Sequence, residues 1–148
     1  MIKLDCIFCK IINNEIPSYT IYEDEIVKVF LDIEPMSPGH MLIIPKKHYE
    51  NLDDIDMDTL THINEIAKKM HNLLKEKLGI DGMSIIQNNG DVQDVKHYHM
   101  HLKPYYRENN GISVEEVYKK ITQWVIFCLP FYFLLYLYFF LLYNHMYK

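Results

Sequence analysis

Apolar residues recur at three- and four-residue steps through one long stretch. Leu60, Ile63, Ala67, Met70, Leu74 and Leu78 set a single stripe along a helix over 56–78. Asp53, Asp54, Asp56 and Asp58 crowd its start and Lys68, Lys69, Lys75 and Lys77 its later turns, the signs that the helix dipole favours. Gly79 is a fitting stop. Elsewhere the pattern is that of strands. Tyr19–Tyr22 and Ile26–Leu31 are rich in β-branched and aromatic residues, and Glu23-Asp24-Glu25 between them makes a hairpin. Pro35, Pro38 and Gly39 mark a loop. His40–Ile44, closed by Pro45, reads as a third strand, Gly82–Gln87 as a fourth and Val95–Lys103 as a fifth. Cys6–Ile16 reads as a short helical or turn-rich opening ended by Pro17. This order predicts an α+β fold, a mostly antiparallel sheet with the long helix on one face.

The pattern changes near residue 123. Eleven of the chain's 20 aromatic residues lie in the last 25, and 124–143 carries no charge. The expected division is a domain over 1–122 and an apolar tail over 123–148. The tail is long enough to cross a bilayer, about 30 Å as a helix. Lys119 and Lys120 before it would stay cytoplasmic. Pro130 and the mid-segment tyrosines 132, 136 and 138 argue against an anchor, and the composition also fits a non-native end or a buried, dimer-covering segment. With 15 basic and 20 acidic side chains in 148 residues, a formal net of −5, the chain is no nucleic-acid binder working by bulk phosphate neutralisation. Three cysteines make no disulfide framework, no secretory leader is visible, and a cytoplasmic location is expected.

The informative segment is Lys96-His97-Tyr98-His99-Met100-His101-Leu102-Lys103-Pro104. On a strand, His97, His99 and His101 would share one face, about 7 Å apart at each step, with Tyr98, Met100 and Leu102 in the core. Three imidazoles in a row are costly to bury without partners. Beside a merely polar strand face, two uses compete: a metal site built from all three rings, or a phosphate-handling site in which one ring attacks phosphorus.

This alternation resembles the histidine triad (HIT) family. So do Ile7-Phe8-Cys9-Lys10-Ile11-Ile12, Glu15-Ile16-Pro17, Phe30-Leu31-Asp32-Ile33, Pro38-Gly39-His40 and Ile44-Pro45-Lys46-Lys47-His48, which match the Hint-type branch in order and interval over roughly 5–107. The resemblance implies a five-stranded antiparallel sheet with one long and one short helix, and a homodimer. It implies a nucleotidyl hydrolase or transferase acting on phosphoramidates or dinucleoside polyphosphates of an AMP or GMP type. His99 would be the nucleophile, His101 would contact the α-phosphate, and His40 would support the triad's hydrogen bonds. Asp32 would hold the ribose, Phe8, Ile11, Phe30 and Ile33 would form the base slot, and Asn88 would touch phosphate or leaving group. The loop Asn88–Val95 is about two residues short of the family pattern, and Asp94 stands where serine is common. Lys103-Pro104-Tyr105-Tyr106 replaces the usual apolar-Pro-Arg ending. A second reading is therefore a zinc-stabilised nucleotide-binding regulatory module with little or no turnover.

Cys6-Ile7-Phe8-Cys9 is a CxxC pair, open to zinc or redox use. Nothing around it looks like a thioredoxin βαβ unit, and two reduced, buried thiols are the plain alternative. A zinc-binding subgroup of the family joins such a pair to two histidines, here His48 and His97. Four filled positions make such a zinc structural. His62, on the polar side of the long helix, and His71, near its apolar stripe, are expected to be ordinary.

Overall fold

Glycine, acid and lysine bracket the long stripe where the pattern demands, and a helix forms there. The computed structural model of the protein describes residues 5–108 and 111–123. In chain order its elements are α1 (Ile7–Ile12), β1 (Thr20–Glu23), β2 (Val27–Leu31), β3 (Met41–Pro45), α2 (Met57–Leu78), β4 (Gly82–Ile86), β5 (Met100–Tyr105) and α3 (Val114–Thr122). The five strands make one sheet in the order β1-β2-β3-β5-β4, every neighbouring pair antiparallel. The Asp56 carboxylate caps α2 by accepting from Thr59 N–H at 2.8 Å, and Gly79 ends it in the left-handed region, its N–H bonded to Lys75 O. Ser113 and Glu116 form a capping box at the start of α3.

The central strands β2 and β3 are buried on both faces. Val27, Val29, Leu31, Met41 and Ile43 join Ile63, Ile66, Ala67, Met70 and Leu74 of α2 and Val117 and Ile121 of α3 in the main core. Phe30, Leu42 and Ile44 face the other way, against Cys6, Phe8, Cys9 and Ile11. The sheet therefore has a large core on the α2 face and a small one under α1. On that small side Lys28, 2% exposed, is paired with Glu23 at 3.2 Å and donates to Asn14 Oδ1 at 3.1 Å, which ties the chain after α1 to the sheet.

The α+β class, the antiparallel sheet and the helix over 57–78 agree with the sequence pattern. The opening segment forms a helix of its own, so two short helices accompany the long one. The fifth strand starts at Met100, five residues later than expected, so His97 and His99 precede the ladder. The register explains this. Met100 pairs with Ile43, and two steps further the partner would be Pro45, which has no N–H to give. The chain there turns to the 45–50 loop instead, with Tyr98 N–H donating to Tyr49 O at 2.6 Å. The expectations for the tail over 124–148 lie outside the described residues. Among the described residues no helix is long and apolar enough to cross a membrane.

Candidate active site and metal cluster

The face-to-face alternation of the triad survives although only His101 lies in a strand. Tyr98, Met100 and Leu102 are buried in the α2-side core, while His101 pairs with Leu42 on the α1 side. His97 and His99 are buried at 0% and 3% exposure, so their polar atoms need partners. Each has them.

His99 Nδ1 lies 2.7 Å from the His97 carbonyl oxygen. A carbonyl only accepts, so Nδ1 carries a proton, and the neutral tautomer this selects has its lone pair on Nε2. The Phe8 and His99 rings pack edge to face with centroids 5.2 Å apart, and Phe30 stands 5.9 Å from Phe8. The rings of His99 and His101 are 5.0 Å apart.

His101 Nδ1 is 3.0 Å from His40 Nε2. Burial holds His40 below the usual imidazole range, against the pull of the Asp32 carboxylate, whose Oδ2 lies 3.5 Å from Nδ1. The Met36 N–H donates to that Nδ1 at 3.3 Å. A neutral His40 that accepts at Nδ1 has its proton on Nε2 and donates it to His101 Nδ1. His101 is then left with an N–H at Nε2. Burial first, and the His99 and His40 rings next, push His101 down to about 4, so it too is neutral near pH 7. The hydrogen bonds thus select an Nε2 lone pair on the neutral His99 ring beside an Nε2–H on His101.

The residues expected to hold a nucleoside fall into two groups. Phe8, Ile11 and Phe30 pack together under α1. Asp32 sits just past β2, half-buried, its Oδ1 accepting from Glu34 N–H at 2.9 Å. Ile33 is 75% exposed and stands outside that packed cluster. Asn88 follows β4, two residues past Ile86, which pairs with His101. Asp94 is exposed, yet its charge acts on His101.

A second constellation adjoins the first. Cys6, Cys9, His48 and His97 each offer one ligand atom, all within 4.8 Å of one another. His97 Nε2 donates to Pro45 O at 2.9 Å, which leaves its Nδ1 lone pair pointing at the thiols, 3.4 Å from Cys6 Sγ and 3.6 Å from Cys9 Sγ. His48 Nδ1 is 3.4 Å from Cys9 Sγ and 3.1 Å from His97 Nδ1. Tetrahedral zinc with ordinary bond lengths has edges of roughly 3.5 Å between sulfur and nitrogen and 3.3 Å between nitrogens. The donor set fits that ion in number, kind and spacing. Asp32, His40 and His101 also lie within metal-binding distance of one another, but their contacts already have the hydrogen-bonding use described above.

His62 is an ordinary surface tie, its Nε2 2.7 Å from Asp24 Oδ2, and His71 is half-buried on α2. Sequence reasoning singled out Asp94 in the loop before the triad and passed over Gln93, which is 3% exposed and touches the His97 carbonyl. A glutamine in a polar loop carries no periodic signal, and only its burial marks it.

The family model described as HIT domain matches residues 13–108. The chain belongs to the HIT family. An uncharacterized HIT-like protein of Methanocaldococcus jannaschii is 46% identical over 127 residues, spanning 78% of this chain and 98% of that one. An adenosine 5'-monophosphoramidase of Saccharomyces cerevisiae is 44% identical over 111 residues, 74% of this chain and 68% of the yeast protein. Among solved structures, a zinc-bound histidine triad family protein from Mycobacterium smegmatis superposes with a TM-score of 0.74 at 31% identity, covering 80% of this chain and 91% of that one. The five-stranded antiparallel sheet with its helices is the HIT-like fold.

Proposed function

We propose that the protein is a HIT enzyme of the Hint-type branch that cleaves the α-phosphate linkage of a purine nucleoside phosphoramidate or dinucleoside polyphosphate. His99 Nε2 attacks the α-phosphorus, a P–N bond to the enzyme forms, and the amine, phosphate or nucleotide leaves with the bonding pair. Water then cleaves nucleotidyl-His99. Imidazole serves both steps, as a nucleophile when neutral and a leaving group when protonated. The N–H of His101 stabilises charge on the phosphate oxygens, and His40 holds that N–H in place. Asp32 takes the ribose hydroxyls, Phe8, Ile11, Phe30 and Ile33 the base, and Asn88 and Asp94 lie by the leaving group. The observation that carries the reading is the 2.7 Å bond from His99 Nδ1 to the His97 carbonyl, because it selects the tautomer of the neutral ring whose lone pair is on Nε2.

Cys6, Cys9, His48 and His97 would hold one zinc ion, which clips α1 and its Phe8 to the 45–48 loop and the triad segment and, with four positions filled, does no chemistry. Two thiolates at this site suit a reducing compartment such as the cytoplasm. The exposed Ser84, Ile85 and Ile86 of edge strand β4 offer the surface on which a homodimer would extend the sheet.

The test is intact-protein mass after acid-free quenching of the full chain with adenosine phosphoramidate. An AMP adduct in the wild type that His99→Asn abolishes is the expected result. Nucleotide binding with neither adduct nor turnover would instead favour a regulatory module, a reading for which the Asp94 charge near His101 speaks.

A further inference from the structure

We propose that Gln93 is a positioning residue for His99, its carboxamide clasping the backbone carbonyl of His97 that in turn fixes the His99 ring. The inference rests on the reading of His99 as nucleophile, and it starts from where β5 begins. His97 and His99 precede Met100, so the His97 carbonyl has no place in the strand ladder. Side chains hold it instead. His99 Nδ1 donates to it at 2.7 Å and Gln93 Nε2 at 3.3 Å. The same Gln93 nitrogen donates to Glu50 O at 2.6 Å.

One NH2 group therefore joins two carbonyls from separate segments, the 45–50 loop and the triad. Next to it, Tyr98 N–H donates to Tyr49 O. The orientation of the amide follows from its partners. Turned over, it would set Oε1 against two carbonyl oxygens, acceptor facing acceptor.

The clasp carries a visible cost. Gln93 Oε1 is buried and has no hydrogen-bond partner among the described residues. A buried acceptor left unpaired loses its hydration with nothing in return. An apolar side chain of the same length would fill this space without that penalty. What the amide alone supplies is a pair of N–H donors, and both are used on carbonyls. With the His97 carbonyl free to swing, the His99 ring would lose the bond that keeps the proton on Nδ1. Its lone pair would then point at the phosphate only part of the time.

The test compares the full wild-type chain with Gln93→Met, which keeps the volume and removes both donors. The first readout needs no substrate: the ring ¹⁵N spectrum of His99. The wild type should give a single Nδ1–H tautomer with slowed exchange of that proton, and Gln93→Met a mixture with fast exchange. The second readout is single-turnover formation of the AMP adduct. It should fall roughly 10- to 100-fold, the order expected for a misplaced reacting group, while KM stays within about twofold because no nucleotide contact is lost. A Gln93→Met protein with the wild-type tautomer and the wild-type adduct rate overturns the proposal. Should that variant fail to fold, the wild type decides alone: carboxamide protons of Gln93 that exchange as fast as in free glutamine overturn it, and protected ones support it. If the wild type forms no adduct, the reading of His99 as nucleophile falls, and the ring spectrum still tells whether Gln93 sets the tautomer.

Discussion

Gly39 and Leu78 meet so closely that a side chain at 39 has no room. A Cβ placed on Gly39 would lie 2.7 Å from Leu78 Cδ1 and 2.9 Å from Leu74 Cδ2, and Gly39 has a φ of +82°. The end of α2 thereby presses on the residue just before His40. The packing of the main core and the seat of His40 are one contact.

Gly39→Ala is accordingly expected to cost about 1–2 kcal/mol for the left-handed backbone and a further 1–3 kcal/mol or so for crowding the leucines. Urea denaturation of the single and double variants separates the two. Paired with Leu78→Ala, which opens the space, the glycine substitution should cost less than alone, so the cycle should show coupling. Strictly additive effects would mean that the crowding contributes nothing.

Metal analysis should find one zinc per chain, and Cys6→Ser or Cys9→Ser should lower that occupancy. An ion present at a thousand times its dissociation constant stabilises the fold by about 4 kcal/mol. Chelation should therefore lower the unfolding temperature of the wild type, and added zinc should restore it. In the serine variants both treatments should do little. Equal unfolding temperatures for the chelated and zinc-loaded wild type would remove the metal from the account.

The buried state of His101 sets a pH dependence whose sign can be worked out. Its folded pKa is lowered to about 4, below the ordinary value of 6.5. Between those limits the unfolded chain binds a proton that the native chain does not. Stability then falls as pH drops from 6.5 towards 4, and this residue adds no further loss below that range. His40, also lowered by burial, acts in the same direction. Denaturant unfolding from pH 7 to 4 should show a shallower decline for His101→Asn than for the wild type, both freed of metal so that zinc release does not enter the profiles. Parallel profiles would place the proton uptake on other groups.

How far these features were readable beforehand differs from element to element. The α2 stripe was legible because 3.6-residue periodicity writes burial directly into sequence, although Ile66, a buried neighbour of Ala67, was left out of it. The alternation from Tyr98 to Leu102 correctly separated the core face from the site face. The start of β5 was not legible, since it depends on a pairing partner 52 residues upstream of His97, the proline at 45, and on the 45–50 loop taking over its hydrogen bonds. The four candidate metal donors could be named from the CxxC spacing and the family pattern, but their convergence needed the fold. Ile33, given to the base slot by the family pattern, is open to solvent, because β2 ends at Leu31. Gln93 carries no periodic signal, and its proximity to two carbonyls is visible only in three dimensions.

Asp94 supplies the last prediction. It is exposed, in the loop that leads into the triad, and its charge tends to raise the His101 pKa, so it lies within electrostatic reach of the ring expected to meet phosphate. A carboxylate there opposes an incoming anion. Two unit charges 4 Å apart in water interact by about 1 kcal/mol, or roughly a fivefold change in a rate or binding constant, and screening reduces this over longer distances. Asp94→Ser, which restores the residue type common at this position in the family, should raise kcat/KM for a nucleoside phosphoramidate by up to about fivefold. The gain should be larger at low ionic strength and shrink as salt is added. Asp94→Asn should give a similar gain if charge is the cause, whereas a benefit confined to serine would point to the hydroxyl as a phosphate ligand. A fall in kcat/KM with both substitutions would mean that the carboxylate assists the reaction, for example by orienting the leaving group, and that the departure at 94 is an adaptation of this chain to its substrate.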